Sequence, residues 1–210
     1  MDKRIIFIGG GGHARVLIDL VRVSGQFEVV GILDTQLARG ASVSDVPVLG
    51  NDEFLPELFS KGITKACIAV GSVKENSARK SLYKKVMDAG FHLPSLIHPR
   101  AIVAESNINI SPAVQIMGGA VINANTSIGE NTIINTGAIV EHDCVVGAHV
   151  HVCPGAVISG GCVLGNGAFI GAVTTVIQGI RIGKNAVIAA GSVVLNDVPE
   201  GITVKGVPAR

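Results

Sequence analysis

The sequence predicts an α/β N-terminal domain, Rossmann-like with a short parallel sheet, followed by a parallel β-helix. Three observations carry this. Every sixth residue is aliphatic through Ile110, Ile116, Ile122, Ile128, Ile134, Val140, Val146, Val152, Ile158, Leu164, Ile170, Val176, Ile182, Ile188 and Val194. Four residues after the members from Ile116 to Ile170 stand small or β-branched residues: Ala120, Thr126, Thr132, Ala138, Cys144, Val150, Ala156, Cys162, Ala168 and Thr174. A helix wants a period near 3.6 and an ordinary strand near 2. A sustained period of six instead fits short strands that turn at corners and stack. Ahead of the repeat, apolar strand-like runs alternate with amphipathic segments, the pattern of a parallel sheet with covering helices.

In order along the chain, residues 4–9 read as a buried strand ending in the run Gly9-Gly10-Gly11-Gly12. Ala14, Leu17, Ile18 and Val21 then share a helical face that ends near Gly25. Phe27 to Leu33 is a second strand, stopping at Asp34. A turn-rich segment leads to Asn51, placed to cap a helix through Phe59. Lys65 to Val70 is a third strand, and Lys74 to Ala89 a helix closed by Gly90. The expected domains are 1–96 and 97–210. One extra residue between Val103 and Ile110 predicts a bulge in the first coil, and Pro199 ends the repeat.

Composition excludes several classes. A formal charge of +1 over 210 residues implies no nucleic-acid or membrane-surface field. Aromatics are 3%, with one Tyr and no Trp, which leaves little to stack on bases. No long apolar run and no signal peptide is read, so a cytoplasmic protein without membrane attachment is expected. The four cysteines form no CxxC pair, so no metal is expected. Cys144 and Cys162 fall at inward places and read as small hydrophobes.

Two groups of residues could carry chemistry. Gly9, Gly11 and Ala14 fit G-x-G-x-x-G/A between a strand and a helix, with Asp34 where a ribose-binding carboxylate stands. Backbone N–H groups at a helix start suit a phosphate. The domain holds one mononucleotide-binding half, which favours a nucleotide over a dinucleotide. His142, His149 and His151 occupy third, fourth and sixth places of the repeat, so all three are expected outside the prism. His142, between Glu141 and Asp143, is a sensible general base, because a neighbouring carboxylate fixes the tautomer and stabilises the imidazolium. His149 and His92 read as surface residues. No outward nucleophile accompanies His142, so direct transfer without an acyl-enzyme is expected.

The repeat, the glycine-rich βαβ unit and Glu141-His142-Asp143-Cys144 together resemble one branch of the hexapeptide acyltransferases. It contains sialic acid O-acetyltransferases and the UDP-bacillosamine-type and GDP-perosamine N-acetyltransferases. The tail from Gly201 to Arg210 resembles the family's GxPA-basic ending. The resemblance implies left-handed triangular coils of three hexapeptides, so that residues eighteen apart stack. It implies a homotrimer with acetyl-CoA between adjacent β-helices. His142 is then the base, supported by Asp143. His151 touches the acyl end of the cofactor, and Gly160, Ala172 and Ala190 line its pantetheine groove. Gly10, Gly11, Gly12, His13, Asp34, Thr35, Gly71, Ser72 and Arg79 match the nucleotide-sugar pocket. The implied reaction is acetyl transfer to the 4-amino group of a UDP-, GDP- or dTDP-linked 4-amino-deoxysugar. Sialic acid O-acetylation and a non-catalytic nucleotide-binding trimer are the alternatives.

Overall fold

The structure, a computed structural model, describes residues 2–72 and 76–210. Two compact units divide the chain: Met1–Gly71 with Ser77–Pro99, and Arg100–Arg210 with Ser72 and Asn76.

The first unit is built on β1 (Arg4–Ile8), which lies between β2 (Glu28–Leu33) and β5 (Ala66–Ile68), parallel to both. Ile5, Ile6 and Phe7 are fully buried, as an unbroken apolar run demands of a central parallel strand. α1 (Gly12–Ser24) buries Ala14, Leu17, Ile18, Leu20 and Val21 on one face. It ends at Gly25, whose left-handed φ of 64° lets its N–H return to Val21 O. Asn51 caps a short 3₁₀ turn, its Oδ1 accepting from Glu53 N at 3.0 Å, and α2 (Leu55–Ser60) follows. α3 (Ser77–Asp88) is closed by Gly90 at φ 89°. The expected helix start at Lys74 lies outside the described residues.

The segment after Asp34 differs from the expected turn-rich connection. It forms a hairpin, β3 (Ser42–Val43) with β4 (Val46–Gly50), and β4 adds to β2 as a further parallel strand. Sheet order is β3-β4-β2-β1-β5. The hairpin turn is Ser44-Asp45, both at positive φ, the geometry of a two-residue turn that follows strand twist. Val46 and Val48 then alternate inward. β1 lies between strands reached in opposite directions, so a crevice forms outside the carboxyl ends of β1 and β5.

The second unit is a left-handed parallel β-helix of two-residue strands on three faces. Face one carries Ile102–Val103, Val121–Ile122, Ile139–Val140, Val157–Ile158, Thr175–Val176 and Val193–Val194. Face two runs from Asn109–Ile110 to Arg181–Ile182, and face three from Gln115–Ile116 to Thr203–Val204. Ile116, Ile134, Val152, Ile170 and Ile188 stack in register, as expected. Every member of the sixfold series from Ile116 to Val194 is buried; Ile110, at the open end, is half-buried. Val103 pairs with Ile122 whereas Ile110 pairs with Ile128, which is the extra residue of the first coil.

Polar atoms at the fifth place are satisfied in one way. The inward hydroxyls of Thr126, Thr132 and Thr174 donate to the carbonyls of Glu141, Gly147 and Ala189, each fifteen residues on. The Cys144 and Cys162 thiols reach the Ser159 and Ile177 carbonyls identically. A narrow core can therefore hold a thiol or hydroxyl without an orphaned donor.

Candidate functional site

In the first unit the four glycines divide into two pairs. Gly9 has φ 103°, and a Cβ there would stand 2.5 Å from Val70 Cγ2; at Gly10 it would stand 2.5 Å from Leu37 Cδ1. These two are needed for packing. Among the described residues, Cβ atoms at Gly11 and Gly12 would meet nothing within 4 Å, so towards these the backbone is open to approach. Gly11 starts α1 with no side-chain cap and no acidic residue in the first turn, so the helix N-terminus keeps its positive end. Asp34 pins this loop. Its Oδ2 accepts from Gly10 N at 2.7 Å, and its Oδ1 from Gln36 N and Leu37 N at 2.7 and 3.0 Å. Thr35 beside it is exposed, while His13 and Gly71 are half-buried and adjacent, 3.6 Å from His13 Cβ to a Cβ built on Gly71. A small pocket of about 80 Å³ at the strand ends is lined by Gly9, Asp34, Thr35 and Val70 among others.

Arg79, matched by the resemblance to the nucleotide-sugar pocket, is buried beneath it. It is 2% exposed, and its Nη1 donates to Ile68 O and Val70 O at 2.7 and 2.8 Å. Burial pulls its pKa down to about 10, still well above neutrality, so it stays charged beneath the end of β5.

In the second unit His142 sits at the corner between faces one and two, exposed, with Nδ1 2.7 Å from Asp143 Oδ2. A carboxylate only accepts, so the proton is on Nδ1 and Nε2 carries the free lone pair. This hydrogen bond holds the imidazole pKa above its ordinary value, with the charges of Asp143 and Glu141 adding to it. The same bond, helped by Asn125, keeps Asp143 below the usual carboxylate range. The ring lies over Gly160, where a Cβ would stand 2.7 Å from Cε1 and 2.8 Å from Nε2. Gly160, Gly161, Gln178 and Gly179 with the pair line a cleft of about 370 Å³.

Ala172 and Ala190 lie elsewhere, at the corner between faces three and one. With Cys153, Pro154, Phe169, Thr203 and Lys205 they line an apolar groove of about 580 Å³. Gly160 and these alanines therefore do not share one wall, because twelve residues advance the chain by two faces. His151 takes the outward direction its sixth place requires, but it is covered. It points outward from face three but is 6% exposed. Ser72 Oγ is 2.8 Å from its Nδ1, Asn135 Nδ2 is 3.1 Å from its Nε2, and the Phe169 ring packs edge-on at 5.5 Å. With Asn135 as the donor, Nε2 is the acceptor and Nδ1 faces the Ser72 hydroxyl. His149 is half-buried rather than a surface residue, its Nδ1 2.9 Å from Asn131 Nδ2. All four cysteines are free and buried, with burial pushing the Cys153 thiol up to about 12. Among the described residues no group of three or more His, Cys, Asp or Glu could hold a metal ion, and no helix is long and apolar enough to cross a membrane.

Residues 4–86 match the PglD N-terminal domain, and residues 125–160 and 161–196 match the bacterial transferase hexapeptide repeat. PerB from Caulobacter crescentus, solved with CoA and GDP-perosamine, is 40% identical with TM-score 0.91, covering 98% of this chain and 95% of that one. A histidine-to-asparagine variant of the C. crescentus perosamine N-acetyltransferase, with the same two molecules, gives 39%, 0.92 and the same coverage. The acetyltransferase domain of PglB from Neisseria gonorrhoeae, solved with acetyl coenzyme A, is 33% identical with TM-score 0.90, covering 100% and 99%. No curated protein matches the chain.

Proposed function

This chain belongs to the hexapeptide-repeat sugar N-acetyltransferases that carry a PglD-type N-terminal domain, and we propose that it acetylates the 4-amino group of a nucleotide-linked 4-amino-deoxysugar. The observation that carries this is the His142–Asp143 pair, its Nε2 free over Gly160, in a fold matching at full length enzymes solved with CoA and GDP-perosamine. The residues of 1–96 bind the nucleotide and those of 97–210 bind acetyl-CoA. Gly11, Gly12 and His13 present N–H groups to the diphosphate. Asp34 holds the loop and offers a remaining lone pair to ribose or base, beside Thr35. Arg79 acts from below by fixing the carbonyls that lead to Gly71 and Ser72.

In the reaction the amine nitrogen attacks the thioester carbonyl of acetyl-CoA. The N–C bond forms, the C–S bond breaks and CoA leaves as its thiol. His142 Nε2 takes the proton the amine loses, and Asp143 stabilises the imidazolium. Ala172 and Ala190 border the pantetheine, with Gly160 giving room beneath the base. His151 lies by the acyl end of the cofactor.

A homotrimer is supported by the outward column of face one: Ile102, Val121, Ile139, Val157, Thr175 and Val193. This stripe lies between the corner of His142 and the corner of Ala172, so a facing copy supplies a second wall to both. Free thiols fit the cytoplasm, where acetyl-CoA is made.

The deciding assay measures acetyl transfer to UDP-, GDP- and dTDP-4-amino-deoxysugars and to sialic acid, with wild type and Asp34→Ala. Activity on at least one nucleotide sugar, with its KM raised in Asp34→Ala, is expected. Activity confined to sialic acid and indifferent to Asp34 replaces this reading with O-acetylation. No activity on any substrate leaves a nucleotide-binding trimer.

A further inference from the structure

Asn107, Asn125 and Asp143 are spaced by eighteen residues and stack at one corner of the β-helix. All three adopt left-handed backbone, φ 51°, 58° and 60°, which Asn and Asp tolerate better than other non-glycine residues. Asn107 Nδ2 donates to Asn125 Oδ1 at 3.0 Å, and Asn125 Nδ2 donates to Asp143 Oδ1 at 3.0 Å. Asp143 Oδ2 then meets His142 Nδ1 at 2.7 Å. The chain of bonds has one direction. The carboxylate can only accept, so Asn125 must turn its amino group toward it, and Asn107 occupies the oxygen that this leaves. Further along the column come Gly161 and Gly179, which line the cleft instead of extending the ladder.

We propose that Asn125, oriented by Asn107, is a positioning residue for the acetyl-transfer reaction: it fixes the rotation of the Asp143 carboxylate and thereby the orientation and basicity of His142. The inference rests on the transferase reading for its kinetic consequence, not for its geometry. Asp143 is more than half exposed, so without Asn125 its carboxylate is free to turn toward water. The charged groups near the imidazole are Asp143 and Glu141; Gly160, Gly161, Gln178 and Gly179 on the adjoining coils carry none. The ladder therefore acts on His142 through Asp143.

The test uses two variants of the whole protein with opposite expected signs. Asn125→Gly keeps the left-handed backbone and removes the donor. Asn125→Asp keeps the shape and places a second carboxylate beside Asp143. The ring titration of His142 is followed by NMR on isotope-labelled histidine, assigned by its loss in His142→Asn, alongside kcat and the KM for acetyl-CoA. Asn125→Gly should move the titration down toward the ordinary imidazole value and lower kcat about tenfold, with KM unchanged, a part of what a general base contributes. Asn125→Asp should move it up. Shifts in the same direction, or none, overturn the proposal. If Asn125→Gly fails to fold, the isosteric Asn125→Asp decides alone, and an unmoved or lowered titration overturns it. If wild type acetylates no amino sugar, the transferase reading fails while the titration still judges the ladder.

Discussion

His142 is exposed, yet its surroundings set both its tautomer and its charge. In the proposed role of base it would work only when neutral, and the Asp143 hydrogen bond raises its pKa. Activity should therefore fall as pH drops through a value above that of an ordinary imidazole. Asp143→Asn, which removes the acceptor charge, should move this acid limb to lower pH; a limb that stays in place assigns it to another group. His142→Asn should lower kcat by about 10²–10⁴-fold while leaving the KM for acetyl-CoA nearly unchanged. A loss of only a few-fold means that the amine attacks without this base. The His-Asp pair was legible because its members are adjacent in sequence and fall at outward places. Asn125 was not, because a partner eighteen residues away is visible only once the coil geometry is known. The burial of His151 was hidden for a related reason: the sixfold pattern gives the direction of a side chain, not what covers it.

Among the repeat elements, the corners matter more than the strands. Inward columns follow from the spacing of aliphatics alone, so they read correctly from Ile116 to Val194. Corner glycines look alike in sequence but differ in what they face. A Cβ at Gly171 would stand 2.4 Å from Ala190 N, rigid backbone of the next coil. The three atoms nearest a Cβ at Gly160 all belong to the ring of His142, the end of a side chain that can swing away. Gly171→Ala should thus destabilise the solenoid, whereas Gly160→Ala should leave thermal unfolding nearly unchanged and reduce kcat by displacing the base. Equal effects on stability would refute the distinction. Val173 supplies the reverse case. It is a β-branched residue at φ 56°, 70% exposed, in a column whose other members include Gly155 and Gly191. Left-handed backbone costs such a residue roughly 1–2 kcal/mol, and little burial is lost on truncation. Val173→Gly should be neutral or stabilising by up to about 1 kcal/mol, or about 2–4 °C in Tm for a chain of this length. In the first unit the hairpin of β3 and β4 escaped the sequence because Ser44-Asp45 is a weak turn signal beside the usual Asn-Gly.

At the scale of the whole molecule, one face of the solenoid differs from the other two. Faces two and three do not offer a comparable free apolar column. Face two breaks its two outward valines, Val145 and Val163, with Asn109 and Ser127 on one side and Arg181 on the other, and face three has Gln115, Ile133, His151 and Phe169 already buried. Face one alone leaves Val121, Ile139, Val157 and Val193 partly open in a row. Four aliphatics in line on a sheet are a surface that water disfavours, and a copy of the same chain is the partner always present at equal concentration. The proposed cyclic arrangement of three would place that stripe against a neighbour, next to both the His142 cleft and the Ala172 groove. The assembly and the activity should then depend on the same residues. Wild type should sediment at three times the chain mass. Ile139→Lys, pointing outward and not into the core, should yield a folded monomer with normal helical content in circular dichroism. That monomer should lose both acetyl-CoA affinity and turnover although neither His142 nor Asp143 has changed. A wild-type monomer with full activity at micromolar concentration, or an Ile139→Lys monomer that turns over normally, removes the subunit boundary from the site.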